Sequence, residues 1–342
     1  MRKLFVLPVA LMVLFLSAPN LLADVASEMI LDTTPKTPLF LNIGPEIRHM
    51  RGDLGHKTKS YIAYIPSTEV SRRTYNIDNI FVGLNVRFGS FSEGSVYHED
   101  NIFALAYLQG FNSKGEKIKD QFRWMETGDQ LDMFSADTSL RTGKMFEASF
   151  YHNFWVGDSM AFNVGLGWDY KQHHIQGKNC TYIYSSGGAV LGTWQCPVGW
   201  KYASLKYDAE VPYVSAGMYA LMGANNGVSL DIKGMYSNWA SVYYTAFDYL
   251  VEYDIILPDN YDIRYEGKGM GNVLRGTVQL NVNATERLVF TVGGEYSRMH
   301  GGGPAKRDMI LNNFWWGGRV RTRTWFDSEY YYTMFRISYL LY

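Results

Sequence analysis

The feature that most restricts this chain is a period of two in its apolar residues, repeated in segment after segment. Ile80, Val82, Leu84, Val86 and Phe88 fall on one face, with Gly83, Asn85 and Arg87 on the other. Met160, Phe162, Val164, Leu166, Trp168 and Tyr170 oppose Ala161, Asn163, Gly165, Gly167 and Asp169. The same alternation recurs over Val228–Lys233, Leu274–Val282, Leu288–Ser297 and Met334–Leu341. Side chains that point to opposite faces in turn belong to strands, not helices. A two-layer sandwich alternates too, but two features favour a membrane barrel. The polar face carries full charges, namely Arg87, Asp169, Asp231, Lys233, Arg275, Glu295 and Arg336, joined by Glu147 in the segment Lys144–Trp155. The apolar face is aromatic at its ends, which suits a lipid-facing band between interfacial girdles. In a bilayer no strand edge can stay unpaired, so the sheet must close.

The connections count the strands. Four are short and carry the Gly, Asn and Asp of tight turns: 91–94, 156–159, 223–227 and 283–286. Between them lie five longer polar segments, near 51–69, 112–140, 177–199, 244–261 and 299–325. Strict alternation of short and long is the asymmetry of outer-membrane barrels, with short periplasmic turns and long extracellular loops. The expectation is an all-β, antiparallel transmembrane barrel of about ten strands with both ends in the periplasm. Strands near Leu39–Met50 and Ile102–Phe111 are the weakest, which leaves eight or twelve as alternatives. The composition agrees: 16% of residues are aromatic and 19% charged, and the aromatics are scattered among polar residues.

The N-terminus is read as a targeting segment. Arg2 and Lys3 precede an apolar run from Leu4 to Leu16, and Leu21-Leu22-Ala23 ends in a small residue. That is a secretory signal peptide over 1–23, leaving 24–342 as a single barrel domain. Losing Arg2 and Lys3 shifts the formal charge from −1 to −3, which argues against nucleic acid as a partner. Export permits a disulfide, and the two cysteines, Cys180 and Cys196, are expected to pair and close one outer segment. Inside the barrel, acids (Glu147, Asp169, Asp231, Glu295) and bases (Arg87, Lys233, Arg275, Arg336) are balanced, so a paired polar lumen is expected rather than an ion path.

Several segments resemble the omptin family, the ten-stranded outer-membrane endopeptidases. Tyr182-Ile183-Tyr184-Ser185-Ser186 is similar to that family's Tyr-Ile-Tyr-Ser-Ser loop. Pro212-Tyr213, Tyr236-Ser237-Asn238-Trp239 and Asp137-Thr138-x-Leu140 follow its order and spacing. The similarity covers roughly residues 120–300. A second family of such barrels, named for Protochlamydia outer membrane proteins, is the alternative affiliation. Omptins set two acids on one side of a cleft against an Asp–His pair on the other and activate a water between them. Where the resemblance implies Asp-x-His-Tyr, this chain reads Ala246-Phe247-Asp248-Tyr249. Where it implies Asp-x-Asp-Trp-Met, the chain reads Asp120-Gln121-Phe122-Arg123-Trp124-Met125. Ala246 thus replaces an acid, Asp248 the histidine and Arg123 the second acid, so no catalytic residue is assigned. The resemblance also implies lipopolysaccharide as a lipid partner.

No other constellation supplies chemistry. His173 and His174 are adjacent and so point to opposite faces; they and His300 are expected as solvated groups near the outer rim. Asp129, Asp132 and Asp137 lack the spacing of a calcium loop, and Gly301-Gly302-Gly303-Pro304 reads as a loop tip with no helix behind it. No cofactor or metal is expected. The leading expectation is surface binding or envelope structure through the outer loops, among them the aromatic Asn312–Gly318. An endopeptidase with an altered site and a small porin are the alternatives.

Overall fold

The computed structural model describes residues 39–62, 67–92, 98–110, 113–124, 130–186, 189–195, 201–222, 227–250, 261–311, 314–315 and 320–341. The signal peptide expected over 1–23 and the terminal Tyr342 lie outside these described residues.

Every described element is a strand: β1 (Leu39–Ile62), β2 (Ser67–Phe91), β3 (Glu99–Gly110), β4 (Ser113–Trp124), β5 (Gln130–Val156), β6 (Met160–Ser186), β7 (Ala189–Gln195), β8 (Lys201–Met222), β9 (Val228–Leu250), β10 (Tyr261–Asn283), β11 (Leu288–Leu311), β12 (Phe314–Trp315) and β13 (Val320–Leu341). All neighbouring pairs are antiparallel. β3 and β4 both lie between β2 and β5, one beyond the other, and form a single stave. β7 pairs only with the outer end of β6, and β12 only with that of β11. Ten staves remain, and they close into a ring: β1 pairs with β13 and β5 with β6, so no edge is left. Two of the expected tight turns, at 156–159 and 283–286, fall where the sequence put them, and those at 91–94 and 223–227 lie largely outside the described residues; β5 passes to β6 through Gly157 at φ 71, a conformation natural to glycine.

The outer segments differ from expectation. Where the stretches read as loops near 51–69, 112–140, 177–199, 244–261 and 299–325 are described, they are paired strand, in staves of up to 27 residues; 251–260 lie outside the described residues. The reason is visible in β1. In its first part Ile43 and Ile47 are exposed while Asn42, Glu46 and Arg48 are buried; further on Met50, Leu54 and His56 are buried while Arg51, Asp53 and Lys57 are exposed. The face that points inward never changes, but its polarity inverts. β13 does the same: Tyr339 and Phe335 point out and Arg336 in, then Asp327 and Arg323 point out and Phe326 in. The lower half is sorted for lipid outside and a polar lumen. The upper half is sorted for water outside and a dry interior, as in any soluble sheet. The Gly301–Gly303 run is part of this upper wall and not a loop tip. A Cβ on Gly301 would meet the Met270 carbonyl oxygen at 2.6 Å and Gly271 Cα at 2.9 Å, so glycine permits the close approach of β11 to β10.

Candidate functional site

The interior has two levels. In the lower half the lumen-facing charges pair, as expected, and three further acids and bases join them. Arg48 donates to Glu147 through both terminal nitrogens at 2.6 Å and also pairs with Glu46. Arg336 Nε donates to the other oxygen of Glu46 at 3.0 Å. Arg275 is held by Asp169 and by Glu295, the latter at 3.2 Å. Lys233 Nζ donates to Asp231 at 2.6 Å, and Arg87 to Glu99 at 2.8 Å. Glu46 and Arg48 escaped the sequence reading because β1 alternates weakly there, with Gly44 and Pro45 interrupting it. Glu99 escaped because it stands at the turn end of β3, ahead of any apolar alternation. A cavity of about 90 Å³ lies among Arg48, Arg87, Arg275, Arg336, Glu147 and Glu295. It has room for a few waters and not for a peptide.

Above the aromatic girdle of Phe146, Trp168 and Tyr170 the interior turns apolar. His56 stacks on Phe326 with ring centroids 5.1 Å apart and meets Tyr244 edge-on at 4.9 Å. Its Nε2 hydrogen-bonds Thr324 Oγ1 at 2.8 Å. Tyr207 joins through Phe326 at 6.0 Å, and His173 lies against Tyr207 at 6.2 Å and Phe81 at 6.0 Å. Met50, Leu54, Met145, Ile175 and Leu205 complete a single buried cluster. Burial far from water holds both His56 and His173 neutral, with pKa values lowered to about 3; Arg73 beside His56 and Lys171 beside His173 add to the effect. Burial likewise pushes the Tyr244 hydroxyl up to about 12. His173 is therefore not a solvated rim residue: it is fully buried, and neither ring nitrogen has a hydrogen-bond partner among the described residues. Period-two alternation did predict that it and His174 face apart. His300 stands exposed on β11, opposite Asp327.

The positions singled out for omptin-type chemistry stand on β9 and β4. Ala246 is fully buried in the apolar cluster, next to Leu205 and Tyr265 in register. Asp248 pairs with Ala203 and Ile263 on β9. Asp120 of β4 stands opposite Arg73 of β2 in register. Arg123 stands opposite Val70 in register. Asp137 is exposed and accepts a hydrogen bond from Asn179 at 3.1 Å; Asp129 lies outside the described residues. Among the described residues no three His, Cys, Asp or Glu side chains converge as metal ligands. Cys180 is buried on β6. The β6–β7 ladder ends at Thr181 opposite Gln195, so the next residue on each side is Cys180 and Cys196, the latter outside the described residues.

No protein-family model and no curated protein matches the sequence. Among solved structures, the outer membrane protease OmpT from Escherichia coli superposes with a TM-score of 0.67 at 14% identity, over 91% of this chain and 99% of that one. The fold is that of an omptin-like outer-membrane barrel. The outer membrane protein OprG from Pseudomonas aeruginosa aligns over 90% of this chain and 97% of its own at 9% identity, but with a TM-score of only 0.32. The closed ring, the exposed apolar band and the likeness to OmpT together make this chain a bacterial outer-membrane barrel.

Proposed function

We propose that this omptin-like barrel is not a peptidase and that it acts at the cell surface, through its outer segments, in binding or in envelope structure. The observation that carries the reading is the packed interior around Ala246. A hydrolytic cleft needs a water reached by an acid and a base. Here the corresponding space is filled by Tyr244, Tyr207, Phe326 and His56, and the position that the family resemblance gives to an acid is a methyl group with no exposure. The paired charges beneath argue in the same direction against a porin, since mobile ions would have to displace buried ion pairs. The same reading includes cleavage after Ala23, a Cys180–Cys196 bridge and lipopolysaccharide as the surrounding lipid.

The test is incubation of the refolded barrel, with lipopolysaccharide present, against a mixed peptide library. No specific cleavage is expected. Cleavage that disappears in Asp248→Ala would overturn the reading. Planar-bilayer recording should show a silent barrel, and large stable conductance steps would favour the porin instead.

A further inference from the structure

On the outer wall above the lipid band, bases gather where acids would be expected to alternate with them. The register sets Lys57 of β1 directly opposite Trp325 of β13 on one side and Arg72 of β2 on the other; Lys59 stands opposite Arg323. These residues face outward, because their strand neighbours Thr58, Ser71 and Thr324 are buried. Like charges directly across adjacent strands weaken the pair, so the fold itself gains nothing from this arrangement. Among the described residues none of these four bases has an acidic partner; the contacts of Lys57 and Arg323 are with the Trp325 ring, each 5.6 Å from its centroid.

Height decides what such a band can meet. Lys57 lies ten residues beyond Ile47, an exposed member of the lipid-facing band on the same strand. At about 3.3 Å per residue and a tilt of about 40° that is roughly 25 Å above it. Between the two levels the wall carries both signs: Asp53 stands opposite Glu329, while the exposed Arg51 and Arg298 lie among these acids, Arg298 opposite Glu329 and 4.0 Å from Asp327. The unbalanced bases begin only above this mixed zone, and their height places the band for something beyond the leaflet. Among the described residues a single aromatic, Trp325, sits among these bases, whereas single-stranded nucleic acid is held by successive stacking platforms.

We infer that the basic band of β13, β1 and β2 binds a sulfated or phosphorylated polysaccharide outside the outer leaflet. Its charges would replace the missing acids along Lys57, Arg72, Lys59 and Arg323, and Trp325 would give a sugar ring a flat apolar face. The inference rests on the surface-binding reading above and names its ligand class.

The experiment uses the whole refolded barrel in non-ionic detergent at about 0.15 M salt, with heparin as the sulfated probe. Unsulfated dextran, single-stranded DNA and lipopolysaccharide serve as comparisons. Heparin should bind, dextran should not, and the double variant Lys57→Gln/Arg72→Gln should weaken heparin binding by at least about tenfold. Arg323→Gln alone should weaken it in the same direction. Neither variant should lower the unfolding midpoint, since each removes a like-charge contact. Failure of heparin to bind, equal binding of dextran, preference for DNA, competition by lipopolysaccharide, or unchanged affinity in the variants would each overturn the inference. Peptide cleavage by the same preparation would overturn the non-catalytic reading instead, so the two failures are separable.

Discussion

Arg275→Met tests the lower lumen most directly. The Arg275 side chain is 4% exposed, and it faces Asp169 at 0% and Glu295 at 4%. Methionine fills most of the same volume but leaves two carboxylates without their shared cation. Breaking a buried pair from one side costs about 3–5 kcal/mol, because the charge left behind is uncompensated. With a urea slope of about 3 kcal/mol/M, the unfolding midpoint should fall by roughly 1–2 M. The assay is equilibrium unfolding of the barrel refolded in lipid vesicles, followed by tryptophan fluorescence and by the gel shift between folded and unfolded forms. The triple variant Arg275→Met/Asp169→Asn/Glu295→Gln removes the orphaned charges and should recover most of the loss. A single variant as stable as the parent, or a triple variant no better than the single, would refute the claim that the lumen is held by mutual neutralisation of buried charges.

His56 and His173 make the outer core acid-sensitive. Each is held neutral when folded, near pKa 3, against about 6.5 unfolded. The unfolded chain thus binds the extra protons, so their contribution is complete above pH 6.5 and is lost as pH falls toward 3, by up to about 1.4 kcal/mol per pH unit for each. His173→Phe, which removes unpartnered nitrogens from an aromatic pocket, should flatten the fall in urea midpoint between pH 7 and 4.5 without lowering the midpoint at pH 7. Cys180→Ser should abolish the mobility change on reduction and cost roughly 3 kcal/mol, the closure entropy of a loop of about 15 residues; a parent that migrates identically with and without reductant would exclude the bridge.

How much was legible depended on which solvents a strand separates. β2, β6 and β10 announced their lipid-facing halves because a bilayer tolerates no exception to apolar-out sorting, and Arg87, Asp169 and Arg275 followed as inward groups. The upper halves of the same strands were read as loops because a search for an outward apolar face finds Arg51, Asp53 and Lys57 there and stops. The apolar residues had moved to the other parity, Met50, Leu54 and then His56. His173 was misjudged for the same reason: a histidine flanked by Gln172 and His174 looks solvated unless the inversion is known. The absence of omptin-type groups at Ala246 and Arg123 could be read from the sequence. That Ala246 sits in a closed aromatic core could not, since His56 and Phe326 reach it from β1 and β13, far along the chain.

The inversion also protects the pairing of the staves. Sliding any one of them by a single residue would turn its lower bases and acids toward hydrocarbon and, in the same movement, its upper aromatic and aliphatic groups toward water. Two unrelated penalties then fall on one mistake. Misaligned intermediates are disfavoured at both ends of the stave at once, so the chain can find its alignment with little help from the few tight turns at its periplasmic end.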